Sequence, residues 1–348
     1  MNKDKTTKNN SDLFTDHLQL KNFNKILELK FGGEIGDLLT SVLWKPFIDL
    51  TGRRGKKIRG RLVELGFLLS DEKPSIEKIE QCKKLMVAIE YLHAGSLAVD
   101  DVQDGSQTRR GEPSLHLKYG LPIALNIGNW LYFLPLEIIR DLNLNPLQEL
   151  ELFHVYHRTL TRAHMGQAMD IGLPVDVLPQ DRVYPVCLAS MELKSGALFS
   201  LALALGAILG GVNENQLQAL DRFGHGFGIG LQMFDDIGNL KGAADPIKKW
   251  EDLLLRRPTF VWACAAKYYS KEIYEQFILA IHQLPHDSHP LLIWLNQHHF
   301  IEKAKQLAHE HMKNCFQVFE KECGQNSSYK LIYPKLTELA LEVSQAYE

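Results

Sequence analysis

IEQCKKLMVAIEYLHAGSLAVDDVQD, residues 79–104, places apolar side chains at Ile79, Cys82, Met86, Ile89 and Leu92. A recurrence of three or four residues specifies an α-helix. The run ends in three carboxylates within five residues, Asp100, Asp101 and Asp104. On a helix, Asp100 and Asp104 stand one above the other, about 6 Å apart along the axis. Two ionised carboxylates at that spacing repel by about 3 kcal/mol at an effective dielectric near 20. A divalent cation with oxygen ligands removes the penalty, and Mg²⁺ typically takes one or two carboxylates plus substrate phosphates. Alone, such a motif is more often a solvated acidic helix end. The apolar run leading in, and Arg109-Arg110 just behind, argue for the cation.

A second acidic stretch, Gln232-Met233-Phe234-Asp235-Asp236-Ile237-Gly238-Asn239, follows the apolar, glycine-dotted run Phe223–Leu231. Gln232, Asp235, Asp236 and Asn239 share a helical face. Gly224, Gly226, Gly228 and Gly230 each weaken a helix by roughly 1 kcal/mol relative to alanine, so they point to close helix packing or to room for a ligand. Two Asp-Asp motifs, each ending an apolar helix, are far more specific together than either alone. A cationic cluster, Arg53 to Arg61, is either a solvated surface or an anion site in which Gly55 and the fork of Arg59 suit a phosphate. His93 shares the helical face of Asp100; it is a core histidine or a third donor to an anion. Lys194, in the polar interruption Leu193-Lys194-Ser195, is at the surface or faces anions.

From Leu13 onward almost everything scans as helix, with Gly111-Glu112-Pro113, Gly120-Leu121-Pro122 and Gly172-Leu173-Pro174 as boundaries. The 348 residues, 45% hydrophobic and 23% charged, predict one all-α domain over 13–348 behind a disordered arm at 1–12. A net charge of −3 gives no basic face for nucleic acid. Cys82, Cys187, Cys264, Cys315 and Cys323 are odd in number and widely spaced, and read as free thiols in a reducing, cytoplasmic compartment. The longest uncharged run, Gly196–Asn213, reads as a buried core helix rather than a membrane span.

The pattern HxxSLxxDDVQDxSxxRRGxPSxH from His93 to His116, with Leu231–Leu240 behind it, resembles the two aspartate-rich regions of the trans-isoprenyl diphosphate synthases (polyprenyl synthetases). The likeness runs from about Lys56 to Arg257. Segments similar to NIGNWLYFLPLE and GQAMDI, and the Asn that ends the second motif, bring it nearest the eukaryotic-type geranylgeranyl diphosphate synthases. The resemblance implies a single-domain helical bundle around a central cavity, a homodimer, and three Mg²⁺ per site. It implies that Asp100, Asp104 and Asp235 hold those ions, with Asp101 and Asp236 in support. Arg109 and Lys194 would contact the allylic diphosphate (dimethylallyl, geranyl or farnesyl). Lys56, Arg59, His93 and Arg110 would hold isopentenyl diphosphate, and Gln232 and Ser195 would line the reacting allyl group.

The implied chemistry suits those residues. Ionising a C–O bond to diphosphate needs the departing charge neutralised, and the allyl cation must be kept from water. Gly95 and Ser96 lie about 6 to 7.5 Å before Asp100 along the helix and are expected to leave a growing chain room to pass. The aromatics Trp130, Tyr132 and Phe133 match positions that help close the cavity floor in the synthases this chain resembles, which implies a C20 product. Departures occur at Arg256 and Arg257, where the family usually has Gly-Lys, and at Ile247, a family lysine by ungapped alignment, with Lys248 one residue off. Arg257 keeps the charge but not the geometry of the lysine. Two other readings stand beside a prenyltransferase. A class I terpene synthase has no need of a second diphosphate pocket, and a non-catalytic partner subunit need not keep both acidic motifs.

Overall fold

The helix expected from residues 79–104 extends over Ile76–Asp104 in the computed structural model, which describes residues 32–71, 73–172, 174–242, 249–326 and 328–347. The expected arm at 1–12, and Ile247 and Lys248, lie outside those residues. Ser75 caps the helix by accepting a bond from Lys78 N at 3.2 Å, and Gly105 closes it at φ 65°. Of the stripe its periodicity marks, Cys82, Ile89 and Leu92 are buried while Met86 is half-buried and Ile79 exposed, and the burial extends beyond that stripe to Leu85, Val87, Ala88, Tyr91, Ala94 and Ala98.

The chain falls into two compact units, 32–64 with 74–153 and 65–73 with 154–347 among the described residues. In the first, α1 (Gly33–Leu39) runs through a π-helical turn (Thr40–Trp44) into α2 (Lys45–Gly52). Then come α3 (Ile58–Ser70), which crosses into the second unit, and α4 (Ile76–Asp104). A hairpin follows, β1 (Thr108–Arg109) paired antiparallel with β2 (Glu112–Pro113), then α5 (Leu115–Tyr119) and α6 (Leu121–Arg140). These are the only strands among the described residues; the other regular elements are helical, as the pattern predicts. The core joins Phe47, Tyr91, Ile127, Leu131 and Leu134, with Phe47 5.2 Å from Tyr91 and 5.5 Å from Trp130, ring edge to ring face. Each such buried side chain contributes about 1.5–3 kcal/mol by leaving water.

The helix α7 (Pro146–Gly172) leads into the second unit. There follow a 3₁₀ turn (Val175–Val177), α8 (Gln180–Met191), a π-helical turn (Glu192–Gly196), α9 (Ala197–Gly210) and α10 (Glu214–Lys241). The remaining helices are α11 (Glu251–Leu254), α12 (Phe260–Tyr268), α13 (Lys271–Ile281), α14 (His289–Gln297), α15 (Phe300–Cys323) and α16 (Tyr329–Tyr347). The stretch Gln180–Gly210 is long and apolar enough to cross a bilayer, but every residue of α9 is buried in the protein, as a core helix requires. The glycines of α10 mark close packing. A Cβ on Gly228 would lie 2.9 Å from Gly196 Cα, and one on Gly224 would meet Ser200 Cα. That contact sets the register between Gln232–Asp236 and the π-helical turn bearing Lys194 and Ser195. The five cysteines are free, and four of them are buried.

Candidate active site

In the first unit, α4 carries Asp100, Asp101 and Asp104 into the tight hairpin that presents Arg109 and Arg110. Asp101 points inward, its side chain 1% exposed, and takes the Arg109 Nε–H at 2.9 Å on Oδ1 and 3.1 Å on Oδ2. Arg109 is thereby fixed with Nη2 3.8 Å from Asp100, whose side chain stays 20% exposed. The hairpin is itself anchored: the buried Arg53 donates to Arg109 O at 3.2 Å and Pro113 O at 2.9 Å, and pairs with Asp49 at 3.2 Å. Asp49 also accepts from Tyr119 Oη at 2.9 Å. A Cβ on Gly55 would lie 2.8 Å from Arg110 Cζ, so any larger residue there would push the guanidinium aside.

His93 sits among these cations. Burial, then Arg59, Arg110 and Arg109, hold its imidazole well below the usual histidine range, so the ring stays neutral. Its Nδ1 is buried without a hydrogen-bond partner among the described residues. Glu90, one turn earlier on α4, accepts from Gly60 N at 2.8 Å and ties the start of α3 to this neighbourhood. Lys56 is exposed and Arg59 half-buried at the start of the same segment.

In the second unit, Ser195 Oγ donates to Gln232 Oε1 at 2.6 Å, Gln232 Nε2 to Asp236 Oδ1 at 2.7 Å, and Phe260 N to Asp236 Oδ2 at 2.7 Å. Asp236 is buried, and that burial raises its carboxyl to about 7 against the lowering effect of its two hydrogen bonds, with Asp235 and Asp170 adding to the rise. Asp235, one residue earlier, is exposed. Lys194 Nζ lies 2.8 Å from Asp170 Oδ2, and Arg257 Nη1 donates to Asp170 O at 3.2 Å, so the end of α7 gathers both cations. Burial, with Asp236, Asp235, Asp170 and Glu251 nearby, also holds Asp252 well above the usual carboxylate range.

The turn after α11 holds Arg256, a position at which the sequence departs from the pattern of the family it resembles. Arg256 N donates to Leu253 O at 3.1 Å and Arg257 N to Asp252 O at 2.9 Å, which is the Schellman arrangement. Its left-handed position falls on Arg256, at φ 55°. Glycine is favoured there because any side chain costs roughly 1–2 kcal/mol, and this chain nonetheless keeps the turn with arginine.

Two expectations are corrected. Gly95 does not open a passage: its Cβ would lie 2.6 Å from Leu131 Cβ and 2.8 Å from Gly128 O, so it is where α4 and α6 cross. Phe133 closes no floor in this chain, because it stands on the outer side of α6, 66% exposed. Trp130 packs on Trp44 and Phe47 as core. Ser96 is half-buried, its hydroxyl donating to His93 O at 2.9 Å, and Tyr132 is half-buried. Glu90, Asp170 and Asp252 are supporting residues whose role the sequence does not single out, and Arg53, read there only as part of a cationic cluster, is a buried anchor of the hairpin. Asp170 does carry a sequence signal, since it lies in the segment GQAMDI.

Asp100 and Asp104, four residues apart on one helix face, offer the oxygen ligands Mg²⁺ prefers, as does the exposed Asp235, whereas the buried Asp101 and Asp236 are committed to protein donors. Among the described residues no three ligating side chains converge on one point.

The polyprenyl synthetase family model matches residues 40–289. A geranylgeranyl diphosphate synthase of Methanosarcina mazei is 31% identical over 163 residues, 47% of this chain and 49% of that protein. A geranylgeranyl pyrophosphate synthase of Penicillium janthinellum is 33% identical over 218 residues, 61% and 54% of the two chains. The chain spans about half the length of the curated relatives it matches. In fold it is similar to the geranylgeranyl pyrophosphate synthase of Corynebacterium glutamicum, solved with isoprenyl diphosphate and magnesium. The TM-score there is 0.76 at 21% identity, covering 97% of each chain.

Proposed function

The chain belongs to the polyprenyl synthetase family, and from that premise we propose a Mg²⁺-dependent prenyltransferase that condenses isopentenyl diphosphate head to tail with an allylic diphosphate, giving geranylgeranyl diphosphate (C20). One observation carries the reading: a neutral His93 enclosed by Arg59, Arg109 and Arg110 lies two turns from Asp100 on α4. That helix end joins surplus positive charge, which binds diphosphate, to carboxylates that suit a metal.

In this reading Asp100, Asp104 and Asp235 hold the Mg²⁺, three ions per site. When bound, Mg²⁺ supplies Lewis-acid neutralisation of the departing diphosphate. Arg109, Lys194 and Arg257 bind the allylic diphosphate, and Lys56, Arg59, His93 and Arg110 hold isopentenyl diphosphate. Arg109 and Lys194 are oriented in advance by Asp101 and Asp170, so they need little reorganisation as charge develops. Gln232 is held at both ends of its amide by Ser195 and Asp236, which turns its carbonyl dipole to stabilise an allyl cation. The isopentenyl double bond then attacks, and the proton lost passes to the released diphosphate. Ser96 and Tyr132 are the residues proposed to set product length. The protein acts as a soluble, cytoplasmic homodimer.

The test is incubation of purified protein with Mg²⁺, isopentenyl diphosphate and each allylic primer in turn, with the products identified. Geranylgeranyl diphosphate is expected. A hydrocarbon formed without isopentenyl diphosphate indicates a terpene synthase, and no product with any primer indicates a non-catalytic subunit.

A further inference from the structure

Arg256, in its left-handed position, lies against the 3₁₀ turn Val175–Val177. Val175 N donates to Arg256 O at 3.0 Å, so the two backbones are tied. Beside that bond, Asp176 Oδ2 lies 3.5 Å from Arg256 Nη1 and 2.7 Å from His282 Nε2 at the end of α13. The Asp176 side chain is 4% exposed, whereas those of Arg256 and His282 are 45% and 49% exposed. The carboxylate is thus a buried anchor with two half-exposed partners. Its Oδ1 is buried with no hydrogen-bond partner among the described residues, which leaves Oδ2 to meet both partners. The next residue along the turn is Arg257, bonded to Asp170 O.

We propose that Asp176, with Arg256 and His282, is a positioning cluster for Arg257. The ion pair steadies a left-handed turn that glycine adopts unaided, and so directs the following guanidinium. The inference rests on the reading of Arg257 as a ligand of the allylic diphosphate and adds what holds it in place. It also accounts for an arginine where the family usually has glycine: Asp176 supplies from outside the turn the constraint that such a position needs.

The experiment compares wild type, Asp176→Asn, Arg256→Gly and the double variant, measuring kcat and apparent KM for farnesyl diphosphate and for isopentenyl diphosphate, with Tm alongside. Asp176→Asn is expected to raise the KM for farnesyl diphosphate about tenfold, because a misaimed binding group loses much of its effect, while the KM for isopentenyl diphosphate stays put. Arg256→Gly and the double variant are expected to match wild type, since glycine holds the turn without the pair. His282→Gln, at a half-exposed side chain where folding is not at risk, is expected to give a smaller rise of the same kind. Equal rises from Asp176→Asn in both backgrounds, equal rises for both substrates, or no rise in either Asp176→Asn or His282→Gln overturn the proposal. Arg257→Ala separates the two levels. If it leaves the farnesyl diphosphate KM unchanged, the reading of Arg257 fails and the cluster with it; if it raises that constant while Asp176→Asn does not, only the positioning role fails.

Discussion

The two Asp-Asp motifs use the same dipeptide in the same order but stabilise it differently. In each, the first aspartate reaches solvent and the second is buried: Asp100 over Asp101, Asp235 over Asp236. Asp101 meets a guanidinium, whereas Asp236 meets an amide and a backbone N–H. A charged partner makes the first motif a rigid ion pair. In the second, burial raises the carboxyl to about 7 against the lowering effect of its two neutral hydrogen-bond partners. The buried member of each pair is held by protein donors, and the more accessible member is the one proposed to hold metal.

The largest expected effect comes from the more accessible aspartate of each motif. Asp100→Ala or Asp235→Ala should lower turnover by about 10³-fold or more with Tm unchanged, read by steady-state assay and calorimetry. A large Tm loss in either would merge the two roles that the comparison separates.

Asp101→Ala and Asp236→Asn should part company in stability. The first leaves Arg109 without its buried partner and is expected to cost about 3 kcal/mol, near the low end for a broken buried pair because Arg109 is partly exposed. The second replaces a carboxyl already easy to protonate, and about 1 kcal/mol or less is expected. Urea denaturation at neutral pH measures both.

The two units should also show opposite pH slopes without metal. His93 has a folded value below its unfolded 6.5, so the unfolded chain binds more protons there, and its contribution to stability is lost as pH falls through about 6.5. Asp236 is raised from 3.8 to about 7, so the folded chain binds more protons in that window, and stability falls as pH rises across it. His93→Gln should remove the first slope and Asp236→Asn the second, each at most about 1.4 kcal/mol per pH unit. Denaturation midpoints in chelator between pH 4 and pH 8 check this, and slopes of one sign in both variants would contradict it.

The smallest effect concerns product length. Ser96→Phe should shorten the product towards C15 and Tyr132→Ala should lengthen it, whereas Gly95→Ala should lower Tm through its collision with α6 and leave product length alone. Chromatography of dephosphorylated products separates these outcomes.

How much of this the sequence discloses depends on what periodicity encodes. The spacing of Cys82, Ile89 and Leu92 is enough to specify α4, and the glycine row of α10 correctly signals close packing. Distance along an axis, however, says nothing about the direction a residue faces. That is why Gly95, one turn before Asp100, reads as a gate and proves to be a helix crossing. Phe133 fails for a similar reason: an aromatic run carries no mark of which ring lies on the side opposite Leu131 and Leu134. Arg53 sits in a run of cations, yet it is buried by partners some sixty residues away at Arg109 and Pro113, which no local pattern reveals. Asp176 and Asp252 are ordinary acids in sequence and become notable only through neighbours brought by the fold.

The most direct test of the division between the accessible and the buried aspartate of each motif is calorimetric titration of inorganic diphosphate into the protein with saturating Mg²⁺. The wild type and Asp236→Asn should bind with similar heats, while Asp100→Ala and Asp235→Ala should lose the metal-dependent heat. Equal binding by all four proteins, or loss confined to Asp236→Asn, would contradict the account.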